Sequence, residues 1–118
     1  MLSAVHRLRT SDDIRTTIRR GRRAGSRTVL AHGRLGARSE GDPSRVAFVV
    51  GKQVGNAVTR NTVKRRLRAL MSARLSALPE GSDVVLRALP PAARRSSVDL
   101  GHDLDLVLDR LHQPRTTS

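Results

Sequence analysis

The chain has 118 residues, a formal net charge of +13, no cysteine and a single aromatic residue, Phe48. That length suits one domain with one modest core; the missing cysteines exclude disulfides and thiolate metal sites, and the missing aromatics argue against a sheet on which bases stack. The charge exceeds the roughly 2–8 that solubility asks of a small domain, so it points to a polyanionic partner.

Residues 1–10 form a short basic arm. Ser11 then reads as an N-cap, with Asp12 and Asp13 complementing the dipole of a first helix. Ile14 and Ile18 lie one turn apart and Gly21 is a plausible stop, with Arg15, Arg19, Arg20, Arg22 and Arg23 along the flank. Residues 26–34, centred on Thr28-Val29-Leu30, read as a strand. A polar turn region follows at 36–44. Residues 45–50 (Arg-Val-Ala-Phe-Val-Val) give the strongest strand signal, apolar on both faces and therefore covered on both. A connector at 51–55 carries Lys52.

Asn56, in preference to Thr59, caps the next helix, whose stripe is Val63, Leu67, Leu70, Met71, Leu75 and Leu78, ended by Pro79-Glu80-Gly81. Residues 83–89 form another strand, closed by Pro90-Pro91. Ser96 or Ser97 caps a last helix with Leu100, Leu104, Val107, Leu108 and Leu111 on its apolar side. Gly101 weakens that helix by up to ~1 kcal/mol relative to Ala. Residues 113–118 read as a flexible tail. The order is helix, two or three strands, helix, strand, helix: a single α+β domain over 1–118, of split β-α-β type, with helices packed on one sheet.

No apolar run approaches the ~18–20 residues of a membrane span. The N-terminus also lacks a secretory leader's apolar stretch. A cytoplasmic protein without membrane association is the expectation.

The segment from Arg60 to Arg68 holds five cations within nine residues, on an amphipathic helix. With Val63, Leu67 and Leu70 buried, Asn61, Lys64, Arg65 and Arg68 share an adjacent flank. Arg66 projects elsewhere, and Arg60 sits near the helix start. Residues 56–59 add the free amides and positive dipole end of the same helix. An ordinary surface helix mixes charge signs, whereas the first acid downstream of this cluster is Glu80. Of the 23 basic residues 21 are Arg, which grips phosphate bidentately.

The run Gly55-Asn56-Ala57-Val58-Thr59-Arg60-Asn61-Thr62-Val63-Lys64-Arg65-Arg66-Leu67-Arg68 closely resembles the signature of the bacterial ribonuclease P protein subunit, roughly Gly-Asn-Ala-Val-x-Arg-Asn-Arg-x-Lys-Arg-x-x-Arg. It departs at Thr62, where the family has Arg. The likeness extends over about residues 5–112. It implies a four-stranded sheet with a left-handed strand–helix–strand crossover, against the right-handed default. It further implies the accessory subunit of a ribonucleoprotein endonuclease that removes the 5′ leader of precursor tRNA, phosphodiester hydrolysis being carried by an RNA subunit with Mg²⁺. By position, Lys52, Asn56, Arg60, Asn61, Lys64, Arg65 and Arg68 would bind RNA, and Ile14, Ile18 and His32 would line a leader cleft. Partners so implied are the ribonuclease P RNA subunit, in a 1:1 complex, and precursor tRNA.

Two other readings stand beside it. Asp99, His102, Asp103, Asp105 and Asp109 lie on one segment, and Asp99 and Asp103 share a face with His102, as a protein-borne metal nuclease would need. A solvated acidic face opposite Leu104 and Leu108 is the simpler account of them. The second alternative is a basic structural RNA-binding protein of ribosomal type, with no part in cleavage.

Overall fold

A computed structural model describes residues 2–113. Helix α1 spans Ser11–Arg20 and β1 spans Arg22–Gly25. Then come β2 (Val29–Arg34), β3 (Arg45–Val49), α2 (Ala57–Ser72), β4 (Asp83–Ala88) and α3 (Ser97–His112). One sheet holds the four strands in the order β1-β2-β4-β3. β1–β2 and β2–β4 run antiparallel, and β3–β4 parallel. The α+β class and the split β-α-β arrangement hold: α2 connects β3 to its parallel neighbour β4.

Local chemistry adjusts several boundaries. The cap of α1 is Thr10, one residue before the expected Ser11; its backbone is extended and its hydroxyl accepts from the Asp13 N–H at 3.3 Å. Strand β1 hid in the sequence because Arg22 and Arg23 read as the helix's basic flank. The expected strand at 26–34 begins only at Val29, since Ser26 turns the chain between β1 and β2 by bonding the Val29 carbonyl through its N–H and its hydroxyl. Asn56 caps α2 as expected, its side-chain oxygen accepting from the Thr59 N–H at 2.9 Å.

The expected continuation of α2 to Leu78 fails. The helix stops at Ser72, and Leu75–Ala77 form a separate 3-10 turn. The spacing of three between Leu75 and Leu78 suits either geometry. Arg74 secures the helix end by donating from Nη1 to the Leu70 carbonyl at 2.9 Å. Ser96, rather than Ser97, caps α3 by accepting from the Asp99 N–H.

Period-two alternation in the strands builds a three-layer domain. On one face Val29, Ala31, Val46, Val84, Leu86 and Ala88 meet Val63, Leu67 and Met71 of α2 and the Leu100–Leu111 stripe of α3. Each of these large side chains contributes about 1.5–3 kcal/mol by leaving water. Gly101 has a packing role that its helix propensity conceals: a Cβ there would lie 3.0 Å from Arg74 Nη2 and 3.4 Å from Leu70 Cδ2. Its absence lets α3 approach α2. On the other face Ala47 and Val85 meet Leu8, Ile14, Ile18 and Val49, which places α1 over the sheet. Gly21 sets how closely α1 approaches, because a Cβ would fall 2.9 Å from the Gly33 carbonyl oxygen.

The basic arm is docked rather than free. Leu2 and Leu8 are buried, Arg7 pairs with Val46 on the outer edge of β3, and the Leu8 N–H donates to the Val46 carbonyl at 3.0 Å. Apart from Gln113, the expected tail lies outside the described residues. Among the described residues no helix is long and apolar enough to cross a membrane.

Candidate nucleic-acid interface

Helix α2 turns about 100° per residue, and Val63, Leu67 and Met71 fix its buried side. Lys64 and Arg68 consequently sit half-buried at the edge of that side, with Asn61 and Arg65 exposed farther round. Arg60, one turn before Lys64, leans against the protein, and its Nε is buried with no partner among the described residues. The stripe foreseen in the sequence is therefore continuous but graded, from a half-sheltered rim to an open crest. Arg66 lies outside it and donates to the Arg95 carbonyl at 3.2 Å, tying α2 to the segment before α3. Thr62 is half-buried, and its hydroxyl donates back to the Val58 carbonyl at 3.0 Å.

At the head of this helix Lys52 is exposed in a 3-10 turn spanning Lys52–Val54. Asn56 is exposed too, but its carbonyl oxygen is engaged in the cap, which leaves its amide NH₂ as the free polar group.

Lys64 and Arg68 do more than decorate a helix. They form one wall of a groove whose other walls are Arg7, Leu8 and Arg9 of the arm, Val46–Phe48 of β3, and Ile14 of α1. Cationic heads thus stand beside aliphatic side chains, as a strand of nucleic acid with phosphates on one side and bases on the other would require. Phe48, the one aromatic residue, is half-buried in this wall.

The sheet face beneath α1 continues the groove. Register places Arg34, Asp83 and Arg45 in one cross-strand row; Arg23, His32, Val85 and Ala47 in the next; and Gly25, Leu30, Arg87 and Val49 in the third. Ile14 and Ile18 pack toward Ala47, Val85 and Val49. The three positions foreseen for the cleft, Ile14, Ile18 and His32, therefore share one side of the sheet. Leu30, Arg87 and Val49 are half-buried and form the more open end of the floor.

His32 is 9 % exposed and its Nδ1 has no partner among the described residues. Burial, then the positive charges of Arg23 and Arg87, lower its pKa from the ordinary histidine range, so the neutral ring is favoured. The first row behaves oppositely. Buried Asp83 takes two hydrogen bonds from Arg45, with Arg38 Nε 3.3 Å away, and Arg45 Nη2 also lies 3.5 Å from Asp13 of α1. The Asp83 hydrogen bond, outweighing the cost of burial, raises the pKa of Arg45. This network fastens the start of α1 to the sheet and so fixes one end of the cleft.

Two of the acids of α3 have structural partners. Asp103 accepts from the buried Thr28 hydroxyl at 2.6 Å, and Asp105 pairs with Arg74 at 2.6 Å. Among the described residues no three His, Cys, Asp or Glu side chains gather as a metal cage.

Sequence reasoning missed Arg7, Arg9, Arg23 and Arg87 as candidates. The first two were read as arm and the third as helix flank. Arg87 was the one legible signal, a cation inside an otherwise apolar strand.

Comparison with known proteins bears on the family and the fold. Residues 2–112 match the family model described as Ribonuclease P. The chain is similar to the ribonuclease P protein component of a Nocardioides species, 51 % identical over 111 residues that cover 94 % of this chain and 95 % of that protein. It is also similar to that of Streptomyces bikiniensis, 50 % identical over 117 residues covering 94 % and 95 %. Among solved structures, the Staphylococcus aureus RNase P protein superposes with a TM-score of 0.80 at 22 % identity, covering 91 % of this chain and 95 % of that one. The Thermotoga maritima RNase P protein gives 0.76 at 23 % identity, covering 88 % and 98 %. These two likenesses speak for the fold.

Proposed function

The chain belongs to the ribonuclease P protein family, and from that premise we propose that it binds the catalytic RNA subunit through α2 and grips the 5′ leader of precursor tRNA in the groove beneath α1. The observation that carries this reading is the shared wall: Lys64 and Arg68 belong both to the basic stripe and to the groove that holds Ile14. One helix thereby faces two RNA elements at once.

On this reading the exposed crest, Asn61 and Arg65, with Lys52 and Asn56 at the helix head, meets phosphates of the RNA subunit. Arg60, Lys64 and Arg68 stand where that RNA and the leader converge. Ile14, Ile18 and His32 hold leader bases by apolar contact and shape, in a cleft with little aromatic surface. The protein's part in cleavage is to neutralise phosphate and position the leader. Hydrolysis is assigned to Mg²⁺ held by the RNA subunit and substrate, and the chain to a 1:1 complex with that RNA in the cytoplasm. A structural binder of ribosomal type would need the stripe but not an aliphatic groove opening beside it.

The test is substrate discrimination by the reconstituted complex. Precursor tRNA should bind more tightly than mature tRNA when the chain is present, and the difference should shrink when it is omitted. Equal preference with and without the chain would refute the leader assignment.

A further inference from the structure

The floor of the cleft carries an excess of positive charge around one buried ring. In the row of Arg34, Asp83 and Arg45, the buried carboxylate takes two hydrogen bonds from Arg45. One row on, His32 lies opposite Arg23 of β1 and diagonal to Arg87 of β4, with no acid among them. Neither Arg23 nor Arg87 has a carboxylate or hydrogen-bond partner among the described residues, and His32, more than nine-tenths buried, leaves Nδ1 unpaired. Buried polar groups are ordinarily satisfied, and cations flanking a ring repel one another unless something negative stands between them.

Among the described residues no nearby element supplies that negative charge. On α1, Asp13 is turned to Arg45 and Asp12 to Arg15, while Arg19 is exposed and adds only further positive charge. On β4, Asp83 is held by Arg45 and Arg38. The arrangement is complete only with an anion from outside. Resting on the leader-binding reading above, we propose that Arg23 and Arg87 hold one phosphodiester of the single-stranded leader over the ring of His32.

Binding then has a spectroscopic signature. An anion at this point offsets the two guanidinium fields that act on the imidazole, so occupancy raises the pKa of His32. Linkage gives the sign. The ring's pKa is depressed in the free chain and higher in the complex, so extra affinity is present below the free value and lost as pH rises through the bound value.

The experiment follows the Cε1–H resonances of the four histidines by NMR in the full chain, titrated with pH alone, with inorganic phosphate, and with a five-nucleotide single-stranded RNA. The methyl signals of Ile14 and Ile18 report cleft occupancy. The expected result is that the oligonucleotide moves those methyls and raises the His32 pKa, with His6, His102 and His112 little affected. Arg23→Gln, at an exposed position, should abolish most of the rise while the rest of the spectrum stays folded. Moved methyls with an unmoved His32 titration would overturn the subsite and leave the cleft reading standing. Silence at both would remove both. If inorganic phosphate alone raises the pKa and the oligonucleotide moves neither, the site takes an adventitious ion only, which also overturns the proposal.

Discussion

Arg45 grips Asp83 through two parallel hydrogen bonds, Nε to Oδ1 and Nη2 to Oδ2, each 2.9 Å long. Asp83 is buried at the head of β4, and Arg45 also reaches toward Asp13. The pair therefore joins β3, β4 and α1 at the point where the cleft begins. Breaking a buried pair from one side usually costs about 3–5 kcal/mol, because the remaining charge stays buried unpaired. Arg45 is partly exposed, which puts Asp83→Ala at about 3 kcal/mol, read as a lowered midpoint in urea denaturation. From the arginine side this stabilisation is present below the ordinary arginine range and lost only as pH rises through the still higher folded value. Raising the pH to about 9 should accordingly leave it unchanged.

His32 has the opposite sign. Its folded pKa lies below the ordinary value, chiefly through burial, so folding favours the neutral ring. Its contribution is fully present above the unfolded pKa, about 6.5, and is lost as pH falls toward the folded value. Between pH 7.5 and 5 the wild-type chain should lose more stability than His32→Gln does. Parallel denaturation curves at the two pH values check this.

The basic stripe should behave as a counterion-release device. If about five phosphates are neutralised, log affinity for the RNA subunit falls with a slope of roughly −3 to −4.5 against log salt. Arg65→Ala and Arg68→Ala should each weaken binding and flatten that slope by about one unit. Their positions separate them in a second assay. Arg65, on the open crest, should affect precursor and mature tRNA equally through assembly, whereas Arg68, in the groove, should also reduce preference for the precursor.

Ile14 and Ile18 are half-buried, so part of each side chain packs and part faces the cleft. Ile14→Ala and Ile18→Ala should each cost about 1–2 kcal/mol of stability, below the range for fully buried isoleucines. Each should weaken precursor binding by the assembled complex more than mature tRNA binding. Equal weakening of both would mean that these residues only pack.

Much of this was readable before any coordinates. The spacing of Val63, Leu67 and Leu70 announces the buried side of α2 and the direction of the cationic flank, although Met71 takes the fully buried place and Leu70 is half-buried. The unbroken apolar run in residues 45–50 announces a strand covered on both faces. What escaped was set by tertiary context. Strand β1 is two arginines, an alanine and a glycine, and becomes a strand only because β2 pairs with it. The graded burial from Arg60 to Arg65 depends on where the arm and β3 press against α2. The Arg23, His32 and Arg87 cluster spans three strands and exists only through register. Ile14, Ile18 and His32 were placed in the cleft by family resemblance, and no spacing in the sequence brings His32 beneath α1.

The most direct measurement is cleavage of precursor tRNA by the family's RNA subunit at low Mg²⁺, with and without the chain. The expected outcome is a marked gain in leader removal when the chain is added, reduced in Arg65→Ala and Arg68→Ala in proportion to their loss of RNA affinity. No gain on addition, or cleavage by the chain and metal without the RNA, would contradict the account.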